Sequence, residues 1–281
     1  MCKMKTSKRK VLQIGSENFG AGGRSVIAYN LTRPLTNDFQ VDFLAIGKLK
    51  NPSFHRIIEE NGGHVQHVKE VSSKIKRLRS IYSILKKEKY DIVHINVDDA
   101  IEGLFNIVLS KLSGAKIVLH AHNTSSSRGK GFAGRIKMLL ARKIVNFLVD
   151  CKLACSLEAA NYLYGDTDLL EVVILKNGII INDFLYNIDL RQKVRENLNI
   201  PMGAIVLGTI GRLSYQKNPE FMISLIQTLF SKSPNFYFIW IGDGEERAKI
   251  ETLLDEEIKS QRVLLLGKQE QPAQYLQAMD V

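Results

Sequence analysis

At 281 residues, 45% of them hydrophobic and 24% charged, the chain is long enough for two α/β domains and has the balance of a soluble globular protein. No run of about eighteen apolar residues occurs, which excludes a membrane-spanning helix, and Val11 to Ile14 is too short a stretch for a secretory signal. The net charge of +10 is one-sided: residues 1–170 hold 27 Lys and Arg against 15 Asp and Glu, residues 171–281 hold 12 against 14.

That imbalance leaves three candidate partners for the first half: a phosphate-bearing substrate, anionic lipid, or nucleic acid. A solvated basic surface is the plain alternative. The three cysteines, Cys2, Cys151 and Cys155, have no metal-ligand spacing and read as small core or boundary residues in a reducing cytoplasm.

Along the chain, short β-branched runs alternate with helical patterns, the order of a parallel α/β architecture. Lys10 to Gly15 is the first strand. Glycines around Gly22-Gly23 follow, then a helix with Val26, Ile27 and Leu31 that ends near Pro34. Val41 to Ile46 is a strand, and Ile57-Ile58 lie on a short helix closed by Asn61-Gly62-Gly63. Ile75, Leu78, Ile81 and Leu85 mark a helix crowded with Lys and Arg on its outer face. Asp91–Ile95 and Lys116–Ala121 read as buried strands with a helix through Leu104 and Val108 between them. A long helix ends near Val149, a strand covers Lys152–Cys155, Ser156 opens a helix, and Val172–Leu175 is a strand. A helix with Leu190, Val194 and Leu198 stops at Ile200-Pro201. Strands at Ile205–Ile210, Phe236–Ile241 and Val263–Leu266, with a helix through Phe221 to Phe230, then form a second Rossmann-like series. The expected domains are 1–175 and 176–281.

Three constellations carry chemistry. Gly20-Ala21-Gly22-Gly23-Arg24-Ser25, between a strand and a helix, suits the approach of a phosphate to backbone amides. A turn that merely needs glycine remains open. A dinucleotide reading fails, because Ser25 stands where the last glycine of G-x-G-x-x-G belongs and Asp42 lies near the start of its strand. His120-Ala121-His122-Asn123 ends a buried strand, and alternation sends both histidines to one face. A hydrogen-bonding or base role for one of them competes with two satisfied core histidines; His94 reads as structural. Third, Gly208 to Pro219 places Arg212 and Lys217 five residues apart in a strand-to-helix loop, where a fixed guanidinium fork and a mobile ammonium can share one diphosphate.

On those residues the chain resembles glycosyltransferase family 4, retaining enzymes of GT-B fold. Gly211-Arg212-Leu213 with Lys217 before Asn218-Pro219 is similar to the donor diphosphate motif of that family. The Gly22-Gly23 loop, the strand-ending histidine, Lys176-Asn177-Gly178, Trp240-Ile241-Gly242-Asp243-Gly244 and the Val263–Gly267 segment agree with it. The His-Ala-His-Asn form most resembles capsule and exopolysaccharide transferases of bacteria. The resemblance runs from about Arg9 to the end. It departs from the family at Met279-Asp280-Val281, where a strand is expected to begin and the family's glutamate-rich loop is not reached, so the second Rossmann-like domain is expected to be incomplete and this chain inactive or nearly so.

The resemblance implies a cytoplasmic enzyme that passes a sugar from a nucleoside diphosphate sugar to a hydroxyl, with retention, and without metal or cofactor. Arg212, Lys217, Gly22 and Gly23 would bind the donor diphosphate and Gly267 would lie by the nucleobase; His122 first and His120 second would serve the sugar. The basic, apolar segment Arg128 to Val149 suggests attachment to the inner face of the plasma membrane and a lipid-linked acceptor. The rival is a non-catalytic remnant or binding module. A nucleic-acid binder lacks any recognised motif.

Overall fold

The structure is a computed structural model and describes residues 8–15, 22–47, 52–69, 73–126, 128, 131–165 and 171–281. The chain divides into two compact units, Met1–Ile179 and Ile180–Val281.

The first unit is built on seven parallel strands. In chain order they are β1 (Arg9–Ile14), β2 (Phe39–Ile46), β3 (Val65–Val68), β4 (Ile92–Val97), β5 (Lys116–Ala121), β6 (Cys151–Ala154) and β7 (Val172–Ile174). Their spatial order is β3-β2-β1-β4-β5-β6-β7. The chain winds outward from β1 in one direction and then from β4 in the other, so the sheet reverses between β1 and β4. Open parallel sheets bind ligands at the carboxyl ends of the strands beside such a reversal.

Six helices connect these strands: α1 (Gly23–Thr32), α2 (Pro52–Glu60), α3 (Lys74–Glu88), α4 (Ala100–Ser113), α5 (Gly131–Leu148) and α6 (Leu157–Tyr164). Their ends follow from sequence. Ser73, Asp99 and Ser156 each sit in extended backbone and accept a first-turn amide of α3, α4 and α6. A core of Leu12, Ile14, Val93, Ile95, Ile117 and Leu119 fills one face of the sheet; Val11, Val41, Phe43, Phe54 and Ile58 fill the other. Each such leucine or isoleucine contributes about 1.5–3 kcal/mol on burial. Covered on both faces, the strands read as nearly continuous apolar runs.

The second unit carries β8 (Ile205–Ile210), β9 (Phe236–Ile241) and β10 (Val263–Gly267), parallel and ordered β10-β9-β8. Helices α7 (Ile188–Asn197), α8 (Pro219–Lys232), α9 (Arg247–Leu253), α10 (Asp255–Lys259) and α11 (Pro272–Leu276) complete it. Leu213, Ile226, Phe238, Trp240 and Leu254 pack one face, and Val194, Val206, Ile239, Ile241 and Ala278 the other. The edge of β8 away from β9 is engaged: Asp280 N donates to the Val206 carbonyl at 2.7 Å and Gly208 N to the Val281 carbonyl at 3.0 Å. Arg195, fully buried, donates to the carbonyls of Met202, Ala204 and Ala278 and pairs with Asp280 at 2.9 Å. Met279–Val281 thus lies along β8 without being assigned as a strand.

Candidate functional site

Each unit presents a set of strand carboxyl ends, and the two sets differ in chemistry. In the second unit all three strands run into glycine: Gly211 after β8, Gly242 after β9 and Gly267 closing β10. Gly211 N donates to the Ile241 carbonyl at 2.9 Å, and Gly242 N to the Gly267 carbonyl at 2.8 Å, so the three ends form one backbone shelf. Gly242 cannot be replaced there. Its φ is +139°, and a Cβ would stand 1.9 Å from the Gly211 carbonyl oxygen.

Arg212 and Lys217 project from the loop after Gly211, both exposed, and neither has an ion pair or side-chain hydrogen bond among the described residues. The Lys217 chain turns back toward the shelf: a Cβ on Gly211 would lie 3.7 Å from Lys217 Cε. Asn218 explains the Asn-Pro that follows. It adopts the left-handed conformation at φ +50°, caps α8 by accepting from Phe221 N, and hands over to Pro219 at the first helical position. Two cations without counter-charges beside exposed backbone make a site for an anion with two or more oxygens.

The first unit is arranged the opposite way. Gly15, at the end of β1, has φ +88°, and a Cβ there would stand 1.9 Å from the Asn96 carbonyl oxygen, so β1 and β4 approach more closely than a side chain permits. Residues Gly20-Ala21 of the glycine loop lie outside the described residues. Gly22 precedes α1 in extended backbone, and a Cβ on Gly23 would meet nothing within 4 Å. Arg24 is engaged by Glu102 at 3.2 Å and Asp98 at 3.5 Å. Asp99, fully buried, accepts from Ser126 and from Arg128 at 2.8 Å. Burial raises the Asp98 carboxyl; for Asp99 burial acts the same way but the hydrogen bonds from Ser126 and Arg128 outweigh it and hold the group low.

Beside these charges runs a line of neutral polar groups on one sheet face. Gln13 is paired in register with His94, and Asn96 with His120. His122 Nε2 lies 2.8 Å from Asn96 Oδ1, Asn96 Nδ2 2.9 Å from Gln13 Oε1, and Gln13 Nε2 3.0 Å from His94 Nδ1. His120 is fully buried, its ring 5.5 Å from that of His94 and 4.1 Å from that of His122, with neither ring nitrogen bonded among the described residues. His122 is half-buried at the end of β5. Burial pushes the three histidines down, His94 to about 3, His120 to about 4 and His122 to about 3, so all are neutral near pH 7. The fold therefore places His122 at the rim and His120 inside.

Asp42 is internal as well. Fully buried, it accepts from Tyr90 Oη at 2.8 Å and His64 N at 2.9 Å, a bracing role. A cavity of about 740 Å³ lined by Arg9, Tyr90, Asp91, Lys116 and Asp150 opens at the opposite, amino ends of the strands, away from the chemistry described. No group of three or more His, Cys, Asp or Glu among the described residues could hold a metal ion.

Residues 191–281 match the family Glycosyl transferases group 1. The chain is 25% identical to the glycosyltransferase named EpsF of Bacillus subtilis (strain 168), over 99% of this chain and 73% of that protein. It is 28% identical to the UDP-Gal:alpha-D-GlcNAc-diphosphoundecaprenol alpha-1,3-galactosyltransferase of Escherichia coli, over 74% of this chain and 54% of that one. Among solved structures, Anabaena Alr3699/HepE in complex with UDP and glucose superposes with a TM-score of 0.76 at 18% identity, covering 98% of this chain and 73% of that chain. Residues 191–281 are accordingly a glycosyl transferases group 1 domain, carried on a chain of GT-B fold with parallel-sheet, Rossmann-like units.

Proposed function

We propose that the protein transfers a sugar from a nucleoside diphosphate sugar to a hydroxyl acceptor, with retention and without a metal, in the synthesis of a bacterial surface polysaccharide. The pair Arg212 and Lys217 carries this reading. As the glycosidic bond to phosphate breaks, the leaving diphosphate gains negative charge, and two fixed cations beside a backbone shelf stabilise it without rearranging. Gly22 and Gly23, at the start of α1, offer further amides, and Gly267 ends the strand next to which a nucleobase would lie. His122 is the group assigned to a sugar hydroxyl; His120 supports it from inside. UDP is the nucleotide to test first, since HepE is described in complex with UDP and UDP-glucose.

Calorimetric titration with UDP, UDP-glucose and UDP-galactose tests the donor site. Micromolar to millimolar binding that Lys217→Ala abolishes supports the assignment; binding unaffected by Arg212→Ala with Lys217→Ala removes it. Product formation unchanged by a chelator, and a retained anomeric configuration by NMR, are the expected outcomes for metal use and stereochemistry.

A second observation favours attachment to an anionic leaflet, where a lipid-linked acceptor would be met. Helix α5 buries Met138, Ala141 and Val145, yet its opposite side exposes Phe132, Ile136, Leu139, Leu140 and Phe147, flanked by Arg135, Lys137 and Lys143 and free of any acidic residue. An apolar outer stripe between basic flanks is the pattern of a helix lying in the headgroup region. No helix among the described residues is long and apolar enough to cross a membrane. Sedimentation with vesicles checks this: binding should need anionic lipid and weaken with salt. Equal recovery with neutral vesicles removes the idea.

A further inference from the structure

The polar line across β1, β4 and β5 has a direction, and the direction is set by a group that cannot turn around. The Ile14 carbonyl lies 3.1 Å from Asn96 Nδ2. A backbone carbonyl only accepts, so the amide nitrogen of Asn96 must face it. That nitrogen has two hydrogens, and the second goes to Gln13 Oε1 at 2.9 Å. Asn96 Oδ1 is then left for His122 Nε2 at 2.8 Å, and because an amide oxygen only accepts, the proton of His122 sits on Nε2. Gln13, its oxygen taken, donates through Nε2 to His94 Nδ1 at 3.0 Å.

Reversing any member would set two acceptors or two donors face to face in a dry interior. Gln13 and Asn96 are both fully buried, and a buried polar group without a partner costs about 1–3 kcal/mol. The central ring is the most crowded: a proton added to His120 would face His122 across 4.1 Å and His94 across 5.5 Å. His120, without a partner on either nitrogen, stands between its neighbours without exchanging a hydrogen bond with them.

We propose that Asn96 and Gln13 are positioning residues that lock His122 as the neutral Nε2–H tautomer, so that it offers Nδ1 as a hydrogen-bond acceptor to a carbohydrate hydroxyl. The choice of hydroxyl as ligand rests on the function proposed above; the tautomer does not. An imidazole locked this way accepts from a sugar but cannot donate to one through Nδ1, which makes the site a reader of hydroxyl donors.

Long-range proton–nitrogen NMR of the histidine rings in the 281-residue chain tests it. The His122 signals are assigned by their loss in His122→Gln. Near pH 7 the wild type should show one tautomer at His122, with Nε2 protonated. Asn96→Ala should give a mixture of both tautomers. Gln13→Leu should loosen the lock partially, since Asn96 retains the Ile14 carbonyl. A mixed or Nδ1-protonated His122 in the wild type overturns the proposal and needs no variant to fold, as does an unchanged tautomer in Asn96→Ala. Titration with UDP-glucose, with UDP as control, separates this from the functional reading. A shift of the His122 Nδ1 resonance by UDP-glucose alone supports both. A locked tautomer whose Nδ1 ignores the sugar upholds the positioning role and counts against the sugar contact.

Discussion

The two units place opposite chemistry at equivalent strand ends. In the first, the charges of the described residues near the β1–β4 reversal are answered, Arg24 by Asp98 and Glu102 and Arg128 by Asp99, and the neutral His122 is bonded to Asn96. In the second, Arg212 and Lys217 stand without carboxylates among the described residues, while other charges are answered: Arg191 and Arg195 by Asp280 with α7 and β8, and Arg247 by Glu251 and Asp243 after β9. The difference separates two tasks. Neutral, ordered hydrogen-bonding groups suit the hydroxyls of a sugar, whose charge does not change. Unanswered cations suit a diphosphate, whose charge grows as it leaves. Paired charge builds the scaffold, and the unpaired charge is where the proposed function puts the anion.

The sharpest way to break that division is to remove an answered charge from the second unit. Arg195→Ala would strip Asp280 of its buried partner and leave the carbonyls of Met202, Ala204 and Ala278 without a donor. Asp280 is exposed and keeps Arg191, so the loss falls on the buried carbonyls, each polar group left without a partner costing about 1–3 kcal/mol. Thermal unfolding should fall strongly, and limited proteolysis should open the chain after Ile180 first. Unchanged proteolysis of 180–281 would show that this pair does not hold the unit.

Removing an unanswered charge should act the other way, on chemistry and not on folding. In a catalytically active form of the enzyme, Lys217→Ala or Arg212→Ala is expected to raise the barrier to sugar transfer by about 2.7–4 kcal/mol, roughly a hundred- to thousandfold in rate, with the melting temperature nearly unchanged. A double variant with wild-type turnover would end the donor assignment.

Acid should weaken the first unit more than the second. All six histidines lie in the first unit. His94, His120 and His122 titrate at about 3, 4 and 3 when folded, against about 6.5 unfolded. Their folded values are depressed, so below about pH 6.5 the unfolded chain binds protons that the folded one refuses. Stability is then lost as pH falls, by up to about 1.4 kcal/mol per pH unit for each histidine, until the folded values are reached. Burial would raise the Asp280 carboxyl, but the Val206 amide and Arg191 outweigh it and hold the group below the ordinary aspartate range, so its pairing outlasts that of a free aspartate as pH falls. Hydrogen exchange at pH 7 and pH 5 should therefore show protection falling in the first sheet and holding in the second. Equal losses in both would mean that the buried histidines are not neutral in the folded state.

How much of this was legible in sequence depended on what a residue type must do. The major strands were visible because doubly covered parallel strands are apolar runs: Val-Leu-Gln-Ile, Ile-Val-His-Ile-Asn-Val, Phe-Tyr-Phe-Ile-Trp-Ile. β3 was missed, since Val-Gln-His-Val is four residues long and half polar, and the short helices α9, α10 and α11 have too few turns for a periodic signal. Arg212 and Lys217 could be singled out because cations in a strand-to-helix loop have few structural uses. Gln13 and Asn96 belong to no motif and do not stand out in sequence, and His94 reads as structural until its partners are known. The signal was there: in a strand buried on both faces a polar side chain must find a partner, so polar residues on β1 and β4, neighbours across the reversal, implied a network. The partners themselves depend on register, which periodicity does not fix.

The smallest expected effect concerns the histidines, and it divides the roles within the first unit. A single hydrogen bond from a sugar hydroxyl to His122 Nδ1 is worth about 0.5–1.5 kcal/mol, so His122→Ala should cost roughly a factor of two to twelve in kcat/KM, with UDP affinity and melting temperature nearly unchanged. His120→Ala removes a ring that is fully buried between two others, and should act through packing: a lower melting temperature first, and less transfer only as the neighbouring ring of His122 loses its support. Measuring UDP affinity, melting temperature and turnover for both variants distinguishes them. Loss of UDP binding in His122→Ala would count against the division between the two units, because the answered side would then be helping to hold the diphosphate. A parallel fall in stability for both variants would make the two histidines structural partners, and would move the sugar contact elsewhere on the rim of the first sheet.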